Sequence, residues 1–537
     1  MVPQAGHSTT TGSLQLAPDG QGPADGIRGL LASLFPVAPG AAAPRTRGWR
    51  VLAAAVQVTA VALGAVVLLL RVPGIPAWRT VYAEDYFLFL PGALQHPWRL
   101  FVTFDGYVQL VPRLIAQLVT YLPLADAARG LAVSGALVAA LCALFIFHAS
   151  AGHIRSVALR VLLASGVILL SSAPMEIADS GVNTLWYLGL AMFWAVLWRP
   201  RAPAGIAVAT VVGFLAMSSA IIVVLYAPLL VIRLLVLRRH REHAVTAGWL
   251  AGCLLQVRFV VGAAIAGQSR LVGSGGPAFG RDNRWGNSLT FYLHDVVLRW
   301  AGWHLSWRLQ SSTTMDRATL IACVALAAVL GLVIATQPGA RPFLVVAMTA
   351  GFAFTMFAVY LDPWDVVFPV TFKNEVAARY TALPVMAIEA SLIVGADYAL
   401  RKRRETRVRH AASRRDGAPL RPALAVTALV AFLAGNWAAD FRYYGIRSGP
   451  AAHPWAPVAA EWRHDCRVSP SGMISPAVAK SARPAIPCGN IRFLRRRGPA
   501  QEGSQRQPSL SSQMIGSPSP AIPETPWSES RQYSPGS

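Results

Sequence analysis

The chain has 537 residues, of which 54% are hydrophobic and 14% charged, with a formal net charge of +23. Apolar runs of about twenty residues, enough to cross roughly 30 Å of hydrocarbon, recur along it, which excludes an ordinary soluble protein and predicts an all-α, polytopic transmembrane helical bundle. The basic surplus does not indicate nucleic acid, because many of its Lys and Arg residues fall in short clusters between apolar runs, where they set orientation across a membrane.

In chain order, residues 1–44 are rich in Gly, Ala, Pro, Ser and Thr and lack a sustained apolar period, so a disordered cytoplasmic tail is expected. The short apolar patch at 30–37 ends in Pro and Gly, well inside the tail, and makes a poor signal-peptide core. The first span, near 51–70, follows Arg45, Arg47 and Arg50, which keeps the N-terminus cytoplasmic and turns the next loop outward. That loop, 72–125, opens with Tyr82-Ala83-Glu84-Asp85-Tyr86-Phe87 and continues to a semi-apolar stretch at 108–121 containing Pro112 and Arg113. The stretch is short for a span and charged, so interfacial helices are expected in this loop, here an amphipathic or re-entrant helix lying against the outer interface and anchored by Trp and Tyr.

Further spans are expected near 127–148, 158–173, 183–198, 204–217, 219–235, 245–266, 318–336, 342–360, 380–400 and 422–439, about eleven in all. With this parity the Arg238-Arg239-His240-Arg241 cluster and the 401–415 basic run fall in the cytoplasm, and the C-terminus lies outside. The bundle thus occupies 45–440, and a small extracytoplasmic segment follows at 441–494. Residues 495–537 form a Ser-, Pro- and Gln-rich tail expected to be disordered. The protein is expected in the cell membrane as a multi-pass chain.

Chemical variety is concentrated in the outer loops. Two adjacent carboxylates, Glu84 and Asp85, cannot rest in hydrocarbon and must sit in headgroups, water or a cavity opening there; the plain alternative is a solvated acidic loop. Two carboxylates can bind Mg²⁺ or Mn²⁺ weakly, although nothing in the sequence demands a metal. No CxxC pairs, HExxH or Walker-type glycine loop is present. Cys142, Cys253 and Cys323 lie in apolar spans. Cys466 and Cys488 both follow the last span, where an oxidising exterior permits a disulfide closing about twenty residues, worth roughly 3 kcal/mol. Two charges fall inside spans, Arg258 and Glu389, each some 12 to 15 Å below the outer surface at about 1.5 Å per residue. An ion pair between them would reconcile both with their depth; a neutralised Glu389 and a snorkelling Arg258 is the alternative.

The acid pair shortly after the first span and the Gly106-Tyr107-Val108-Gln109-Leu110-Val111-Pro112-Arg113-Leu114 run make the chain resemble the GT-C superfamily of integral membrane glycosyltransferases, most of all its actinobacterial-type members. Asn183-Thr184-Leu185-Trp186-Tyr187, Arg379-Tyr380 opening a span, and Pro487-Cys488 add to the likeness, which covers roughly residues 50–490. The resemblance implies transfer of a sugar from a polyprenyl-phosphate donor at the outer membrane face, with Asp85 or Glu84 as the base and cations holding the leaving phosphate. Arg379 is the first such cation, because its fork matches phosphate oxygens, followed by Lys373 and Arg113; each is otherwise an interfacial anchor. Tyr107 and Asn183, within the matching runs, are expected to contact substrate. No large outer domain for a protein acceptor is visible, which favours a lipid-linked or cell-envelope glycan as acceptor. A transporter or flippase of a lipid-linked substrate is the competing class, but its polar residues would lie at mid-membrane on paired repeats, and no internal repeat is evident.

Overall fold

The structure, a computed structural model, describes residues 23–37, 46–265, 284–302, 312–361, 379–411, 421–441, 452–474 and 486–491, leaving out 72–74, 83, 105, 171–176, 178–179 and 238. Helix dominates. In chain order the helices are α1 (Pro23–Ala32), α2 (Arg47–Arg71), α3 (Leu90–Gln95), α4 (Leu110–Val119), α5 (Ala127–Ala149), α6 (Val157–Leu169), α7 (Thr184–Leu197) and α8 (Pro203–Ser219). They continue with α9 (Ala227–Val236), α10 (Ala244–Ile265), α11 (Arg284–Phe291), α12 (Ser312–Thr336), α13 (Arg341–Leu361), α14 (Ala382–Ala411), α15 (Arg421–Ala439) and α16 (Trp455–Val468). The described strands form three two-stranded antiparallel ladders, β1 (Thr80–Tyr82) with β4 (Ala452–Pro454), β2 (Thr103–Phe104) with β3 (Tyr107–Val108), and β5 (Met473–Ile474) with β6 (Ile486–Pro487).

Among the described residues six helical stretches are long and apolar enough to cross a membrane: Arg47–Arg71, Leu124–Gly152, His240–Gly262, Thr313–Thr336, Pro338–Val359 and Arg379–Arg403. The other five expected spans fall on shorter helices, so the expectation of about eleven is corrected to six that meet the length requirement. The 13 residues of α6 cover only about 20 Å. Apolar composition runs on past helix ends such as Leu169 and Ser219, so hydropathy alone overestimates helix length.

The helices pack through small residues. A Cβ at Gly252 of α10 would lie 2.9 Å from the Met217 Cβ of α8, and one at Gly213 3.0 Å from the Val245 carbonyl, so these two helices approach at backbone distance. All fourteen residues of α7 are buried, which makes it the central rod of the bundle.

Two of the expected surface segments are instead built into the protein. Helix α4 buries eight of its ten residues, including Pro112, Arg113 and Gln117, rather than lying along an interface. The Ser219 hydroxyl at the end of α8 accepts from the Val111 N–H at 3.1 Å, and this draws the start of α4 inward. Within the tail expected to be disordered, α1 leads into Leu34 and Phe35, both buried. The Phe35 carbonyl accepts from Arg199 Nη1, its ring lies 5.8 Å from the Arg233 guanidinium, and Val37 bridges Arg199. These partners lie far away in sequence, Arg199 164 residues on and Arg233 farther still, so no local pattern announces them.

Polar contacts gather at the two ends of the helices. At one end Asp397 of α14 accepts the backbone N–H groups of Arg155 and Ser156 at 3.0 and 2.8 Å, together with Arg401 Nε at 2.6 Å. At the other lie the acid turn, the N-terminus of α7 and the segment that follows α15.

Candidate functional site

Asp85 opens a single π-helical turn, Asp85–Phe89, closed by the Leu90 N–H on the Asp85 carbonyl. Pro91 follows in the first turn of α3; it lacks an N–H and its ring would collide with the carbonyl four residues back, a conflict that a widened turn relieves. Such single π turns recur at functional sites. The turn presents Asp85 inward, 1% exposed, while Glu84 is half-buried at its start.

The Asp85 carboxylate is fully engaged by a segment 95 residues away. Oδ2 accepts from the Ser180 hydroxyl at 3.0 Å and the Gly181 N–H at 2.8 Å, and Oδ1 from the Val182 N–H at 3.0 Å. Two glycines make room for this approach: a Cβ on Gly181 would sit 3.1 Å from Oδ1, and one on Gly135 of α5 would sit 2.9 Å from the Ser180 carbonyl. Burial pushes the Asp85 carboxyl up to about 7, against the pull of the Ser180 and Gly181 hydrogen bonds, with the neighbouring Glu84 charge adding to the rise and the Val182 bond opposing it. The two acids therefore do different work. Asp85 anchors the turn, and Glu84 is the more exposed carboxylate of the two.

Arg113 lies beside this turn. Its guanidinium stands 5.3 Å from the Phe89 ring, four residues after Asp85, and burial pulls it down to about 10, still cationic at neutral pH. Its Nε and Nη2 are buried without a hydrogen-bond partner among the described residues. Asn183, buried immediately before α7, accepts from Trp186 Nε1 at 3.1 Å. The Trp186 ring meets Tyr380 edge-on at 5.6 Å, and Arg379 lies over Tyr380 at 5.0 Å while its Nη2 donates to the Tyr380 hydroxyl at 3.3 Å. A continuous chain of contacts thus runs from Asp85 through 181–183 and Trp186 to Arg379. Lys373 lies outside the described residues.

Tyr107 sits on a hairpin whose turn uses Gly106 at φ 89°, a conformation that suits glycine; its hydroxyl accepts from Gln109 Nε2 at 2.9 Å. The hairpin is pinned by Gln256 of α10, whose amide accepts from the Val108 N–H at 2.9 Å and donates to the Val108 carbonyl at 2.8 Å. Sequence reasoning overlooked Gln256, as it did Ser180, although a buried-looking amide in an apolar span is itself a signal.

The ion pair between Arg258 and Glu389 does not form. Arg258 is exposed on α10, about 200° around the helix from the inward Gln256 at 3.6 residues per turn. Glu389 is 2% exposed in α14 and faces α6 and α15: a Cβ on Gly166 would lie 2.6 Å from its Oε2 and 3.3 Å from the Trp437 ring. The structure does join Cys466 to Cys488, with Cα atoms 5.4 Å apart.

Three donors already engage the Asp85 oxygens, so the acid pair offers a divalent cation chiefly the Glu84 carboxylate. Among the described residues no group of three or more His, Cys, Asp or Glu side chains is placed to hold a metal ion. No protein-family model and no curated protein matches this chain.

Proposed function

We propose that the protein is a membrane glycosyltransferase of GT-C type, moving a sugar from a polyprenyl-phosphate donor to a lipid-linked or cell-envelope glycan at the outer face of the membrane. Arg45, ahead of α2, and Arg47 and Arg50 at its start support that orientation, with the N-terminus cytoplasmic and the acid turn outward. The reading is carried by one observation: Arg113, packed on the same turn that presents Glu84 and Asp85, has its buried Nε and Nη2 without a hydrogen-bond partner among the described residues. A cation buried without a partner is costly, and a phosphate oxygen would satisfy it.

In the proposed reaction Glu84 takes the proton of the acceptor hydroxyl as its oxygen bonds to the anomeric carbon. The bond from that carbon to the phosphate oxygen breaks with its electron pair leaving on the phosphate, whose growing charge Arg113 and Arg379 offset. Asp85 holds the turn so that Glu84 keeps its direction.

The test is transfer by protein reconstituted in sealed vesicles and supplied with radiolabelled polyprenyl-phosphate sugars and membrane acceptors. Label enters a new product with the wild type. The rate falls about 10²- to 10⁴-fold in Glu84→Gln, the range for a lost general base, and about 10²-fold or more in Arg113→Gln. Wild-type rates in Glu84→Gln would remove the assignment, and donor crossing the vesicle unmodified would favour a flippase.

A further inference from the structure

The segment after α15 touches the acid turn before, within and after its reactive residues. Strand β1 ends at Tyr82, two residues ahead of Glu84, and pairs with β4 in the register Thr80 to Pro454, Val81 to His453 and Tyr82 to Ala452. The next residue, Trp455, is 2% exposed. Its indole N–H donates to the Leu124 carbonyl at 2.5 Å, and its ring meets Tyr86, the neighbour of Asp85, edge-on at 6.4 Å. Trp462, one helical stretch later in α16, packs on the same indole at 5.6 Å. Beyond the turn, Asn490 Nδ2 donates to the Leu94 carbonyl at the end of α3, at 2.7 Å. The Cys466–Cys488 bond ties α16, which carries Trp462, to the strand end that carries Asn490.

We propose that residues 452–474 and 486–490 form a clamp around the acid turn, with Trp455 a positioning residue for Glu84 and Asp85 and the Cys466–Cys488 bond its fastener. The clamp rests on the reading of that turn as the reactive site. The Ser180, Gly181 and Val182 donors to Asp85 hold the acid turn from one side, and the segment after α15 packs on it from another. Edge-on aromatic contacts, ladder hydrogen bonds and a covalent tie supply direction from outside it. Glu84 is left half-exposed while Tyr82 ahead of it and Asp85 after it are fixed, which is what a base needs in order to meet a hydroxyl in one orientation.

The experiment combines amide hydrogen exchange in nanodiscs with the sugar-transfer assay, using Trp455→Ala, Trp455→Phe and the Cys466→Ser/Cys488→Ser pair. Trp455→Ala is expected to raise exchange in peptides covering 80–90 by about tenfold, with peptides from α5 and α14 unchanged, since local opening reports the stability of that unit alone. Transfer should lose turnover with KM held near wild type, and Trp455→Phe, which keeps a ring against Tyr86, should recover most of both. The double serine variant should give the same exchange signature more weakly. Unchanged exchange at 80–90 in Trp455→Ala, or an increase shared equally by the whole bundle, would overturn the clamp. If exchange rises locally but wild-type protein transfers no sugar, the clamp stands and the glycosyltransferase reading falls. Full turnover with a loosened turn would leave the enzyme standing and remove the positioning role.

Discussion

Replacing Asp85 by Asn separates the anchoring work of this carboxyl from its charge. In the wild type the folded carboxyl sits at about 7 against a usual 3.8, so roughly three pH units at 1.36 kcal/mol each make the ionised form, net of its hydrogen bonds, about 4 kcal/mol less favourable in the folded protein. Because the folded value is the higher one, the contribution to stability is greatest below pH 3.8, declines as pH rises toward 7, and is level above that. An Asn carbonyl can still accept from Ser180 and Gly181, but its NH₂ then faces the Val182 N–H, leaving a buried donor unmet at about 1–3 kcal/mol. That second cost does not change with pH. The variant should therefore be the less stable protein near pH 4 and the more stable near pH 8, the difference moving by about 3 kcal/mol between pH 5 and 8. Thermal unfolding of both proteins in the same detergent across that range measures it, and groups common to both cancel in the difference. Transitions of wild type and variant that shift in parallel with pH would refute the burial argument.

Gly166→Ala should destabilise by about 1–3 kcal/mol, since its Cβ would lie 2.6 Å from Glu389 Oε2, and Glu389→Ala should recover part of the loss in a thermal scan; additive losses would count against the contact. Thiol labelling of unreduced, denatured protein should mark Cys142, Cys253 and Cys323 only, and labelling of all five would disprove the Cys466–Cys488 bond. Phe35→Ala should cost about 3–5 kcal/mol as a fully buried ring, and unchanged unfolding would show that the N-terminal segment does not dock in solution.

The class of the protein and the place of its acid turn were legible in the residues, because apolarity over some twenty positions and a Glu-Asp pair just beyond it are local properties of a chain. The cysteine pair was legible for the same reason: only two cysteines lie outside the apolar runs. The partners of those features were not. Ser180, Gly181 and Val182 belong to a different loop from Asp85, and nothing near either one encodes that the Asp85 carboxylate will take three donors there. Likewise, Trp455 and Asn490 carry no mark that directs them to Tyr86 and Leu94.

By itself, then, the sequence determined that this is a helical chain with stretches able to cross a membrane and which charged residues must find partners or reach solvent. Tertiary structure alone decided which they found. A residue's depth follows from counting along a helix, but its azimuth depends on how neighbouring helices are turned against one another. Here small residues such as Gly213 and Gly252 set that rotation at backbone contact. That rotation turned Gln256 inward and Arg258 outward on α10, and the separate packing of α14 against α6 and α15 left Glu389 facing Gly166 and Trp437 instead of a cation.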